Sequence, residues 1–515
     1  MKPKRKNLLR LFNLDFHKYY KELKKIDSDY FISEGIKRAL ATFQQSAERV
    51  PAYKDLLSKN NINPNKIKTI FDFKTLPITN KSYLRSYKLS ELCWDGNLHD
   101  LDMISTSSGS TGEPFYWPRG LDQEEEVTKI YEIIYKTFKA DKKKTLLVIG
   151  YSMGNWIAGT FTLTATMRLA QKGYPITIIS PGIIVDEIVK AVKNLSDSFE
   201  QVILAGYPPF IKDVIDRGKN FGIDWPKFDI KFIFGGEIIS EQFRDYILKS
   251  VGKTKESERL TDTMNTYGSA DSAILGYETP ISIYLRRLAS KNLSIANELF
   301  GDNKQLPTLT QYDPRLKFFE EVGGKLLFTS ASGIPLIRYD IGDSGSIISY
   351  DKFLAILRRN NVNIEKDLFK LKISKYNYKL PFLYLFGRRD LTTTLYGLNV
   401  YPENIKAALE SEELSNFVSG KFIMTTEETA KHNQYLLINI ELAENARNGD
   451  SKRRLLSKVI VDKLRKLNSE YSKLYNSIGK KAVPKINLIK YGDPKYFNIK
   501  IKQRWVKKSN EIKVT

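Results

Sequence analysis

Between Lys144 and Ser250 short apolar runs alternate with amphipathic stretches, and that rhythm predicts the architecture of much of the chain. Thr145 to Ile149, Ile176 to Ile179, Gln201 to Leu204 and Lys231 to Phe234 read as buried strands, because runs this short bounded by turns suit strands better than helices. The segment after each carries apolar residues at helical spacing over about ten or more positions. Repeated strand–helix–strand units predict a largely parallel sheet flanked by helices, an α/β fold.

The flanks read differently. From Tyr30 to Gln45 apolar residues recur at helical spacing until Val50-Pro51-Ala52-Tyr53, and short helices and turns then run to about Asp100. From Leu275 to Tyr350 strands and loops are expected, including Lys325 to Ser330 and Ser344 to Ser349, followed by a charged helical insert from about Tyr350 to Lys370. Beyond Gly387 the pattern becomes that of a small α+β unit. A helix is expected at Pro402 to Ser411, apolar runs at Phe417 to Met424 and Tyr435 to Leu442, and a basic helix from Ser451 to about Tyr475. The division that follows is residues 1–387 with a helical lead-in over 1–100, a boundary at 388–391, and a small domain over 392–515; the family resemblance given below implies that 388–391 is a hinge and the small domain mobile.

A length of 515 residues exceeds what one hydrophobic core supports, which agrees with two units. A hydrophobic fraction of 42% argues against disorder for most of the chain. The net charge of +23 raises the question of nucleic acid, but Lys and Arg are spread along the chain and no nucleic-acid-binding motif accompanies them, so no nucleic-acid partner is expected. The single cysteine, Cys93, excludes an intramolecular disulfide and a thiolate cluster, and His17, His99 and His432 lack ligand spacing. The basic start, Met1 to Lys6, precedes an apolar stretch broken by Arg10 and Asn13, too short and polar for a signal peptide or membrane span. A cytoplasmic protein is expected, with an ordinary docking helix or a peripheral contact with an anionic membrane as the two readings of that segment.

The candidate chemistry starts at Ser105 to Pro114, where Thr106, Ser107, Ser108, Gly109, Ser110, Thr111 and Gly112 form a hydroxyl- and glycine-rich run. Such a loop can turn backbone N–H groups inward as a nest for a polyphosphate, although plain flexible loops share the composition. No Gly-Lys-Ser/Thr closes it, so it is not a Walker loop. Four further motifs follow in order: Gly235-Gly236-Glu237; Asn265-Thr266-Tyr267-Gly268-Ser269-Ala270-Asp271; Ile337 to Asp343; and Gly387-Arg388-Arg389-Asp390 running into Leu398 to Ile405.

This ordered series, over about residues 100 to 410, resembles the adenylate-forming superfamily, in the branch of phenylacetate–CoA ligases and capsule-biosynthesis proteins. The resemblance implies a large adenylation domain, a small C-terminal lid that swings between half-reactions, and the substrates and cofactors ATP, Mg2+ and CoA. By the same resemblance Thr106 to Gly112 hold the β- and γ-phosphates, and Asp271 holds Mg2+ and serves catalysis. Tyr267 packs against adenine in a pocket lined by Gly235, Gly236 and Glu237, beside Asn265, Gly268 and Ser269. Asp343 accepts the ribose hydroxyls with Arg388 assisting. In Asn498 to Arg504, Lys500 matches the lysine that reaches the forming acyl-phosphate oxygen, with Lys502 as the alternative.

The chain departs from the pattern at Asp271, where Glu is usual, at the preceding Ala270, at Glu113, where many relatives carry Lys, and at Ile499, where Gly is usual. Activation of an aryl or acyl carboxylate and transfer to CoA is the expected function, with an amine or a carrier-protein thiol as the alternative acceptor. Two readings of other classes stand beside it. One is a nucleotide-binding scaffold without turnover, to which the departures lend support. The other is a serine hydrolase using the Gly150-Tyr151-Ser152-Met153-Gly154 elbow, whose only downstream histidine is His432.

Overall fold

Eleven strands form one mixed sheet in the computed structural model of the chain, which describes residues 15–107, 114–301, 306–388, 393–409, 411, 413–414, 417–443 and 446–497. Before it comes a hairpin of β1 (Met103–Ser107) and β2 (Phe115–Arg119). The parallel half holds β3 (Thr145–Gly150), β4 (Ile176–Ile179), β5 (Gln201–Gly206), β6 (Ile230–Gly235) and β7 (Thr263–Ser269) in the order β4-β3-β5-β6-β7. Every residue of β3, β5 and β6 is buried. Helices cover both faces of a parallel sheet, so its strands are mostly apolar, which is why they stood out as near-continuous runs.

The other half is antiparallel, a departure from the largely parallel sheet expected. After β7 come β8 (Ala273–Tyr277), β9 (Thr308–Gln311), β10 (Phe318–Val322), β11 (Lys325–Ser330), β12 (Leu336–Ile348) and β13 (Phe382–Arg388), in the spatial order β8-β9-β13-β12-β11-β10. The β13 strand enters between β9 and β12 after the charged insert, which is two helices, Tyr350–Arg359 and Ile364–Lys370. Asn361, at φ +58°, breaks them apart, a conformation Asn tolerates better than most residues.

The lead-in is tied to this half. Thr79 donates its N–H to Arg338 O at 3.2 Å and accepts from Asp340 N–H at 2.8 Å, pinning the Leu76–Thr79 segment beside β12. The Ser28–Arg49 helix packs on β10 to β12, and Gly35 allows the approach, since a Cβ there would lie 2.6 Å from Pro314 Cβ.

Downstream, β14 (Thr393–Leu395) and β15 (Leu398–Val400) form a hairpin, and β16 (Val418–Glu428), β17 (Gln434–Leu442) and β18 (Lys485–Ile489) form a separate three-stranded sheet. The long basic helix expected here is two, Asp450–Leu467 and Ser469–Ile478. Asn468 divides them: its side chain accepts from Tyr471 N–H at 3.0 Å as a helix cap and donates to Asn399 O at 2.8 Å.

Candidate functional site

The Gly235-Gly236-Glu237, Asn265–Asp271 and Ile337–Asp343 motifs meet at the C-terminal ends of β6 and β7 and the facing part of β12, where ligands gather in sheets of this kind. The β1 strand brings Ser105, Thr106 and Ser107, where the hydroxyl-rich run begins, to that edge. Thr106 N–H donates to Asn155 O at 3.0 Å, and Ser107 Oγ accepts from Trp117 Nε1 at 3.2 Å, with Lys81 Nζ 3.5 Å away. Ser108, Gly109, Ser110, Thr111, Gly112 and Glu113 lie outside the described residues, as do Lys500 and Lys502.

At the end of β6, a Cβ on Gly235 would sit 2.9 Å from Thr266 Oγ1, and Gly236 holds φ +82° against the Tyr207 ring. Both positions therefore need glycine. The Asn265 side chain donates to Glu237 O at 3.0 Å, while its backbone N–H donates to Glu278, a buried carboxylate paired with Arg244 at 2.7 Å. Removing one partner of such a pair leaves a buried charge, so the pair holds β7 rigidly. Gly268 faces Ala273 O too closely for a side chain, and Ser269 Oγ accepts from Ser272 N–H at 3.3 Å to close the turn that carries Asp271.

Two aspartates are then held crosswise. Tyr267, on β7, donates its hydroxyl to Asp343 Oδ2 on β12 at 2.5 Å. Tyr339, on β12, donates to Asp271 Oδ2 at 2.7 Å. Asp343 on β12 is thus oriented from β7, Asp271 in the turn after β7 is oriented from β12, and both are buried. Asp343 stands opposite Arg388 in the β12–β13 register, which brings their backbones together.

Three participants were not expected from the sequence. Tyr339 stood inside a quoted motif without a role. Arg119, at the end of β2, is fully buried between the loop and the Asp271 turn: its Nε donates to Ser105 Oγ at 3.2 Å and its other arm to Ala270 O. Burial pulls its guanidinium down to about 9, although Asp271 and Glu126 oppose that shift. A lone arginine after a phosphate-type loop was the available signal.

The third is the engagement of Glu237 by the C-terminal segment. Its carboxylate accepts from Gly397 N–H, in the β14–β15 turn, and from Gln434 Nε2 at 3.0 Å. Burial raises this carboxyl to about 8, and the two hydrogen bonds pull it back only in part. Gly397, at φ +76°, lies against Tyr207, and Asp213 binds Lys481 at 2.6 Å nearby. Ser152 is buried and bonded to Tyr207, whereas His432 packs on Phe243 and Tyr246 and faces Glu428 at 3.2 Å.

No family model matches the chain. It is 21% identical over 368 residues to a phenylacetate–coenzyme A ligase of Thermus thermophilus, covering 70% of this chain and 71% of the relative. Among solved structures it is similar to a 2-hydroxyisobutyryl-CoA ligase in its thioesterification state, with TM-score 0.65, 15% identity and coverage of 95% and 91% of the two chains. The same ligase in its postadenylation state gives TM-score 0.52 at 15% identity, covering 96% and 92%. Over nearly its whole length the chain therefore has the fold of these ligases.

Proposed function

We propose that the chain activates a carboxylic acid as an acyl-adenylate and transfers the acyl group to a thiol, CoA in the first instance. The observation that carries this reading is the crosswise pair, Tyr267 to Asp343 and Tyr339 to Asp271, with Arg119 tying Ser105 on β1 to Ala270 beside Asp271. In this reading a carboxylate oxygen attacks the α-phosphorus of ATP and pyrophosphate leaves, a reaction served by positioning and electrostatics. Asp343, oriented by Tyr267 and opposite Arg388, accepts the ribose hydroxyls. Thr106 to Gly112 cradle the leaving phosphates, with Arg119 as a fixed cation behind them. Asp271 fits a Mg2+ ion, because a single carboxylate suffices when phosphate oxygens complete the shell, and Tyr339 leaves its second oxygen to the ion. Lys500 supplies the remaining cation to the reacting carboxylate.

The named relatives are ligases that form CoA thioesters, which supports the thiol acceptor. The greater likeness to the thioesterification state supports reading residues 392–515 as a lid in its transfer position, with residues 1–387 as the adenylation domain and 388–391 as the hinge. No helix among the described residues is long and apolar enough to cross a membrane, and a cytoplasmic setting suits ATP and CoA as substrates.

Carboxylate-dependent ATP–pyrophosphate exchange over aromatic, fatty and hydroxy acids, with Asp343→Ala as control, tests the reading. Exchange with one acid class, lost in the variant, is the expected result. ATP binding without exchange for any acid would instead support a nucleotide-binding scaffold, the reading favoured by Asp271 and Ala270 at their positions.

A further inference from the structure

A groove of about 1320 Å³ opens at the other end of the parallel sheet, lined by nine Lys and Arg side chains against four carboxylates. It lies where Lys142 leads into β3 and Tyr174 into β4, at the N-terminal ends of those strands. The crosswise aspartates sit beyond the opposite ends, and the length of β3 alone separates the two by about 20 Å. The 17-residue Leu121–Thr137 helix, starting directly after β2, runs from one to the other.

Three of the four acids of the groove are already engaged, and the fourth, Glu125, acts on Lys129. Asp15 caps the Phe16–Lys25 helix, Asp141 binds Lys136 at 3.1 Å, and Glu132 accepts from the Tyr174 hydroxyl at 2.8 Å with Lys172 at 3.7 Å. Beside Lys21 and Lys129, four further lysines form a cluster of their own. Lys24 comes from the first helix, Lys139 and Lys142 from the turn after the Leu121–Thr137 helix, and Lys375 from the turn before β13. Among the described residues none of the four has a carboxylate within 4 Å. They are close enough to feel one another: burial, and then Lys139, Lys24 and Lys142, lower the Lys375 ammonium from its ordinary value, with Asp141 only partly offsetting them. Lys24 lies 4.0 Å from the Tyr20 ring centroid and Lys375 4.8 Å from that of Tyr376, so aromatic faces steady two of the ammoniums.

Bringing like charges together from three parts of the chain costs free energy unless a counter-charge occupies the space between them. Lysine ammoniums are compact point donors, which suit the spherical charge of phosphate better than the planar edge of a carboxylate. We infer that this groove is a binding site for a multiply phosphorylated anion, held by Lys24, Lys139, Lys142 and Lys375 and separate from the adenylation site. The phosphate can belong to a soluble polyphosphate or to a lipid headgroup. This assignment is independent of the activity proposed above.

The test uses the full chain with one molar equivalent of a non-hydrolysable ATP analogue, enough for the adenylation site but not for the groove as well, and titrates inorganic tripolyphosphate by calorimetry. Three proteins are compared: wild type, the groove triple Lys24→Gln/Lys142→Gln/Lys375→Gln, and a control triple of equal charge change, Lys249→Gln/Lys255→Gln/Lys291→Gln, whose lysines are exposed elsewhere. One tripolyphosphate is expected on wild type and control, with affinity lower by about tenfold or more in the groove triple. A parallel arm sediments the proteins with phosphatidylcholine vesicles with and without phosphatidylinositol phosphate. Retention on the phosphorylated vesicles that the groove triple loses assigns the phosphate to a headgroup, while tripolyphosphate binding without retention assigns it to a soluble anion. The inference falls if wild type binds neither probe, or if the control triple loses binding as much as the groove triple does.

Discussion

Glu237 makes the contact between the β6 edge and the C-terminal segment depend on pH. Its carboxyl goes from about 4.5 when exposed to about 8 when covered by Gly397 and Gln434. The folded value lies above the unfolded one, so its contribution to the covered arrangement is fully present below about pH 4.5. That contribution drains away as pH rises and is gone above about 8. At about 1.4 kcal/mol per pH unit the ceiling is about 5 kcal/mol, and water at the partly exposed residue lowers this to about 2–3 kcal/mol. The assay is protection of the Gly397 amide against hydrogen exchange, since that N–H is itself a donor to Glu237. After correction for the intrinsic rate, wild-type protection should fall by about tenfold between pH 6 and 8.5, the share of the change that lies in that window. In Glu237→Gln the pH dependence should vanish. Its starting protection should be lower by about 1 kcal/mol, because an amide offers one acceptor to two donors, and Gln434 cannot turn over without losing Tyr396 N–H at 2.6 Å. Equal slopes in wild type and variant would refute the reasoning, with neighbouring Asp213 then the group to examine.

Tyr267→Phe removes a hydroxyl donated to a buried carboxylate and should weaken ATP binding by about tenfold or more, read by calorimetry. Tyr339→Phe should raise the Mg2+ concentration needed for half-maximal exchange by a similar factor while leaving ATP binding in EDTA unchanged. Arg119→Lys should keep the fold but raise the KM for ATP, whereas Arg119→Met should also lower thermal stability by about 1–3 kcal/mol, by emptying a site that bonds Ser105 and Ala270. In Gly397→Ala the new methyl would meet Tyr207 at a positive φ; acyl transfer to CoA should fall while pyrophosphate exchange is retained, as stopped-quench sampling of the two half-reactions would show.

The strands of the parallel half were legible because a strand buried on both faces is nearly continuously apolar, and β3, β5 and β6 are so apart from Thr145, Gln201 and Lys231 at their starts. The hydroxyl-rich loop and the ordered Gly235, Tyr267, Asp271 and Asp343 motifs were legible because each is contiguous and demands special residue types. The breaks at Asn361 and Asn468 were not, since the apolar spacing continues across them and only local capping and a positive φ interrupt the helix. Nor could the insertion of β13 between β9 and β12 be read, because pairing of distant strands depends on faces that no short window contains. The crosswise tyrosines, the cover over Glu237 and the convergence of Lys24, Lys139, Lys142 and Lys375 share one cause. Hydrogen bonding, desolvation and Coulomb repulsion act over a few ångströms of space, and residues hundreds of positions apart in the chain come within that range only after the sheet and its helices have packed.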